Sequence, residues 1–92
     1  MTAMGGDSVP RWSGGVRTRY DETRQRWMIL GPERILVPEG AGADIARLVD
    51  GRRTVDDIVA ELAGEYDADP KLIRDDTVGF LQQLVDQDYL QL

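Results

Sequence analysis

The pattern of apolar residues in this 92-residue chain predicts an α+β domain. A three-stranded antiparallel β-meander comes first, and three α-helices follow and pack on one sheet face. Three observations carry this reading. Val16, Thr18 and Tyr20 alternate with Arg17 and Arg19, the period-2 signature of a half-buried strand. Val55, Ile58, Val59, Leu62 and Tyr66 recur at helical spacing and form one amphipathic stripe. Asp69-Pro70 is a helix start signal, with Asp as N-cap and Pro at the first helical position.

Residues 1–15 contain Gly5-Gly6, Pro10 and Gly14-Gly15 with few apolar side chains, so they read as a flexible tail. Trp12 is the one tail residue able to pin it down. Residues 16–92 then form a single domain, as the length allows. After the strand that starts at Val16, the polar run Asp21 to Gln25 suits a hairpin turn. Trp27 to Leu30 is the second strand, and Gly31-Pro32-Glu33 the next turn. Ile35-Leu36-Val37 is a short third strand, stopped by Pro38 and Gly40. Such a meander is marginal alone and needs a layer packed on one face.

The first helix is expected over residues 43–50, with Ile45, Leu48 and Val49 on one side. Gly51 follows where a helix C-terminus favours a residue tolerant of positive φ. Thr54 caps the second helix, and Asp57 completes a capping-box pair with Asp in place of the usual Glu. The third helix carries Ile73, Thr77, Phe80, Leu81 and Leu84 as its stripe. Tyr89 and Leu90 close the core.

Composition then narrows function. The chain has no Cys and no His. That removes disulfides, thiolate nucleophiles, cysteine zinc sites and Ser-His-Asp triads. No nucleophile–base pair and no phosphate-cradling glycine loop is present, so the chain reads as a non-enzyme without cofactor or metal. Carboxylate pairs such as Asp56-Asp57 and Asp75-Asp76 lack calcium-loop spacing. Their place near helix N-termini is explained by the helix dipole. No apolar run approaches the length of a membrane span, and residues 1–12 lack the basic and apolar regions of a signal peptide. A cytoplasmic protein is expected.

The net charge of -6 is unevenly distributed. Residues 1–34 hold six Arg against four acidic side chains, whereas residues 35–92 hold five basic against thirteen acidic ones. The strands are therefore basic and the helices acidic, which suggests two surfaces of opposite potential. A helix-turn-helix reading of the last two helices makes a winged-helix DNA-binding regulator the alternative function. It is disfavoured, because Asp75, Asp76, Asp86 and Asp88 would meet phosphates. A phosphopantetheine carrier is excluded, since Ser8 and Ser13 are the only serines and both lie in the tail.

Binding is what is left. A short third strand at the sheet edge would offer unpaired N–H and C=O groups to an added strand, with the neighbouring helix supplying apolar pockets. The competing explanation is that Ile73, Phe80 and Leu81 are simply core. A third reading is dimerisation, by strand or helix exchange through the Pro38 to Gly42 connection.

Several stretches together resemble the PqqD family of pyrroloquinoline quinone (PQQ) biosynthesis. They are Met28-Ile29-Leu30-Gly31-Pro32-Glu33-Arg34, then Ile45, Leu48-Val49-Asp50-Gly51-Arg52-Arg53-Thr54-Val55 and Ile58, and later Asp76, Val78, Phe80 and Leu81. The likeness covers residues 16–90. The chain departs from the family at Pro38-Glu39, where a Leu-Asn pair is usual, and in the offset Asp76-Thr77-Val78. Gly79 also interrupts the third helix, at a cost of about 1 kcal/mol against Ala.

The resemblance implies a winged-helix-like, non-catalytic peptide chaperone, a recognition element for a ribosomally made precursor. Its partners would be the precursor peptide PqqA and the radical S-adenosylmethionine enzyme PqqE, with no nucleic acid or membrane. The domain itself would be a monomer or homodimer. The family's peptide lies as an added strand between the third strand and the third helix. Carried onto this chain, Ile35, Leu36 and Val37 would pair with the peptide backbone, and Ile73, Thr77, Phe80 and Leu81 would line the groove. Arg34 would steer acidic peptide groups.

Overall fold

The computed structural model describes residues 4–92, so residues 1–3 of the expected tail lie outside it. Three antiparallel strands form the meander: β2 (Arg17–Asp21), β3 (Arg26–Leu30) and β4 (Ile35–Leu36), in the order β2-β3-β4. Thr18 faces Ile29, and Ile29 in turn faces Leu36. This row is the core side, with Ile29 only 1% exposed. Arg17, Leu30 and Ile35 form the neighbouring row on the outer side. Asp21 closes the first hairpin by accepting from the backbone N–H groups of Thr23 and Arg24. Gly31 begins the second turn, where an added Cβ would come within 2.5 Å of the Tyr89 ring.

The helices are α1 (Ala41–Leu48), α2 (Val55–Tyr66) and α3 (Pro70–Asp86). The start of α1 lies two residues earlier than the apolar stripe indicates. Gly40 is its N-cap at φ 57 and provides no side-chain cap, so no polar residue marks the boundary. Its end also differs: Val49 is extended, and Gly51 takes φ 77 in the following turn. The capping box of α2 is present, with Thr54 accepting from the Asp57 N–H and Asp57 accepting from the Thr54 N–H. Asp69 caps α3 by accepting from the Lys71 N–H at 3.0 Å. Ile45, Val55, Ile58, Leu62, Leu81 and Leu84 from the three helices meet Ile29 in one core. Tyr66 departs from the expected stripe: it is exposed and its hydroxyl donates to Asp44 of α1.

The N-terminal segment differs most from expectation. Residues 4–15 are not a loose tail here. Arg11–Trp12 form a strand, β1, paired antiparallel with a C-terminal strand, β5 (Leu90–Gln91). Before it, the Ser8 and Gly6 carbonyls accept from the N–H groups of Val55 and Asp56, both at 2.9 Å. Those N–H groups open α2 and have no partner within the helix, so the strap satisfies them. Pro10 is fully buried. Gly6, one of the glycines that suggest a linker, instead lets the chain run close: a Cβ there would collide with the Asp56 carboxylate.

Candidate functional site

Among the described residues, strand β4 has a partner on one side only. Which of its backbone groups face the open side follows from the hairpin. The Gly31 N–H donates to the Arg34 carbonyl at 2.9 Å, so residues 31 and 34 are a hydrogen-bonded pair. In an antiparallel ladder such pairs alternate. Leu30 and Ile35 are then a non-bonded pair, and Ile29 and Leu36 a bonded one. The N–H and C=O of Leu36 are used by β3, which removes Leu36 from the expected set of peptide-pairing residues. Those of Ile35 point to the open edge. Val37 lies beyond the strand, but the following Pro38 restricts it to extended backbone. Ile35 is 61% exposed, whereas Leu36 leans on the core.

On α3 the expected groove residues divide. Ile73, Thr77 and Leu81 are buried, with Thr77 and Leu81 at 0% exposure. They are core rather than lining, because the domain is too small to leave such residues outside its single core. Thr77 carries a buried Oγ1 without a hydrogen-bond partner among the described residues. Phe80 is half-buried and packs at the core margin. Its ring reaches Gly42 at the start of α1, where a Cβ would come within 2.9 Å. Spacing of four residues places Leu72, Asp76 and Phe80 on one ridge of α3. Leu72 is 63% exposed, and the sequence reading missed it. The available signal was an apolar side chain one position off the core stripe.

Arg34, just before β4, is exposed and enters no ion pair among the described residues. Its guanidinium lies 5.8 Å from the Tyr89 ring centre, a cation–π distance. The two residues line a hollow of about 310 Å³ together with Val16, Pro32 and Asp88. Glu33 also lines it, so Arg34 is its one cation beside the two carboxylates of Glu33 and Asp88.

Elsewhere the electrostatics are those of a structural surface. The backbone N–H groups of Arg53 and Arg52 hold the Asp50 carboxyl below its ordinary pKa, with a smaller contribution from the Arg53 and Arg52 charges. No group of three carboxylates among the described residues could hold a metal ion. No helix is long and apolar enough to cross a membrane among them. The exposed side of α3 bears Asp75, Asp76 and Asp86 against the single exposed cation Lys71 and the Asp56-paired Arg74, a balance that repels a DNA backbone.

Comparison with known proteins identifies the family and the fold. Residues 26–90 match the family model described as coenzyme PQQ synthesis protein D (PqqD). A PqqA binding protein of Rhodopseudomonas palustris (strain BisB5) is 47% identical over 83 residues, which is 90% of this chain and 81% of that protein. A PqqA binding protein of Xanthomonas oryzae pv. oryzae (strain KACC10331 / KXO85) is 35% identical over the full length of both. Among solved structures, the PqqD portion of Methylobacterium extorquens PqqCD is similar, with a TM-score of 0.82 and 40% identity. The match covers 99% of this chain and 97% of that one. That portion is described as a stand-alone recognition element for ribosomally synthesised, post-translationally modified peptides. TbiB1, solved with the TbiA(beta) leader peptide, matches with a TM-score of 0.77 over 88% of this chain and 94% of that one. At 19% identity that likeness shows the fold alone.

Proposed function

The chain belongs to the PqqD family, and from that premise we propose that it is a non-catalytic adaptor that binds the PqqA precursor peptide and presents it to PqqE. The observation that carries the reading is the open edge of β4, where Ile35 directs its N–H and C=O away from the sheet. A peptide added there extends the meander by one strand. Phe80 and Leu72 on α3 then offer apolar surface to its side chains, and Arg34 offers a cation to an acidic one. The site proposed is thus Arg34, Ile35, Val37 and Phe80, with Leu72 added. Leu36, Ile73, Thr77 and Leu81 support it from the core.

Chemistry on the peptide belongs to the partner enzyme, in keeping with a chain that has neither Cys nor His. The adaptor acts by raising the effective concentration of the peptide at that enzyme. The recognition domain spans residues 16–92, and the 4–12 strap braces it. A cytoplasmic setting fits this role, and so does either a monomer or a homodimer.

Titration of fluorescently labelled PqqA into the protein is the test. Saturable binding is expected, and Phe80→Asp is expected to abolish it while circular dichroism stays native. Binding that survives in a folded Phe80→Asp variant would place the peptide elsewhere.

A further inference from the structure

The outer face of the sheet points away from the core. Leu30 lies between Arg17 and Ile35, and Met28 lies opposite Arg19, so all five side chains share this face. Met28 and Leu30 are half-buried, yet neither packs on the core. Ile35 is the more exposed end of the same apolar stripe. Arg17 and Arg19 are exposed and enter no ion pair among the described residues, unlike Arg26, which lies 4.0 Å from Asp21. An apolar centre with unpaired cations at its rim is the layout of a protein-docking surface.

We propose that this face, Met28–Leu30–Ile35 rimmed by Arg17 and Arg19, docks a folded protein surface that has an apolar centre and a carboxylate rim. The charge argument selects the occupant. Two free arginines on a chain of net charge -6 are too few for a nucleic acid but sufficient to orient an acidic protein patch. The helical half of this chain is itself acidic, which orients such a partner toward the sheet. The face is also continuous with the β4 edge. A peptide strand added beside Ile35 would project alternate side chains onto the same face and widen it. The partner would then meet adaptor and peptide as one surface and bind the loaded adaptor more tightly. This inference rests on the adaptor reading and names the surface through which it meets the modifying enzyme.

The experiment uses purified PqqE as the probe and measures its affinity for the full chain, with and without PqqA, as salt is raised. Arg17→Glu/Arg19→Glu is expected to weaken PqqE binding at least tenfold and to reverse its salt dependence, with PqqA affinity unchanged. Arg52→Glu/Lys71→Glu, an equal charge change elsewhere, is expected to leave PqqE binding within about twofold. Unchanged PqqE binding by a folded Arg17→Glu/Arg19→Glu variant would overturn the proposal. So would an equal loss from both double variants, which would show a net-charge effect. Arginine-dependent binding to anionic phosphatidylserine vesicles without PqqE binding would overturn it in favour of a lipid surface. Failure of the wild type to bind PqqA is a separate result and would count against the adaptor reading itself.

Discussion

Proline at Ile35 tests the open edge most directly. Proline removes the backbone N–H and fixes φ. At Ile35 that N–H points away from β3, so the native ladder loses no bond. Little burial is lost either, because the Ile35 side chain is 61% exposed. An N–H donor to a bound strand contributes about 1 kcal/mol net, a factor of roughly 5 in Kd. The ring also crowds the incoming backbone, so a fivefold loss of peptide affinity is the minimum expected. Leu36→Pro is the matched contrast. There the N–H faces Ile29 and the side chain leans on the core, so unfolding free energy should fall by about 1–3 kcal/mol. Fluorescence anisotropy of labelled PqqA reads the first effect and urea unfolding the second. A folded Ile35→Pro variant that binds as tightly as the wild type would refute the alternation argument. A Leu36→Pro variant that loses binding without losing stability would do the same.

Three further outcomes follow from particular contacts. Gly79 sits in α3 with open space where a Cβ would lie, so Gly79→Ala should stabilise the domain by about 1 kcal/mol and raise Tm by roughly 4–8 °C. Gly64→Ala in α2 is its control, and a loss of PqqA affinity in Gly79→Ala alone would show that the peptide backbone approaches that turn. Deleting residues 1–12 removes the two carbonyls that satisfy α2, the buried Pro10 and the β1 pairing. A destabilisation of about 2–4 kcal/mol in urea is expected, whereas a loose tail would give none. Asp50 has a lowered folded-state pKa, so its contribution is complete above the ordinary carboxylate range and lost as pH falls through the lowered value. Asp50→Asn should therefore flatten the stability profile below about pH 4, and calorimetric melts across that range would show it.

Most of the fold was legible because its signals are local. The capping box at Thr54, the Asp69-Pro70 start and the positive φ at Gly51 all depend on neighbours within a few residues. The alternation from Val16 to Tyr20 likewise fixes which side of β2 meets the core. What escaped was non-local. Arg11-Trp12 is too short to announce a strand, and it pairs with Leu90-Gln91 at the far end of the chain. Gly5-Gly6 reads as linker until the Asp56 carboxylate is seen beside it. The depth of the candidate site residues escaped for a related reason. A helical stripe shows which residues lie together but not how deep each sits. Ile73, Thr77 and Leu81 share a face with Phe80, and only the packing separates core from margin. Leu72 falls off that stripe, so periodicity alone discards it.

The two free edges of the sheet are unequal, and magnitudes decide what each can do. Strand β2 offers five residues and β4 only two, so length alone would favour β2 as a template. Yet β2 carries Arg17 and Arg19, unpaired charges of the kind that protect natural edge strands. Strand β4 carries no charge, and the helix that follows it opens against Phe80. Its brevity limits what pairing can contribute. The outward groups of Ile35 and Val37 provide a few hydrogen bonds of about 1 kcal/mol each. A micromolar complex needs about 8 kcal/mol, beyond the cost of immobilising the peptide. Backbone pairing therefore sets register, and apolar contacts must supply most of the affinity. Phe80 and the 63%-exposed Leu72 are the large apolar side chains on the proposed α3 ridge for that burial. Truncating both to Ala should cost more affinity than any proline in β4, and the reverse order would mean that the ladder, not the ridge, holds the peptide.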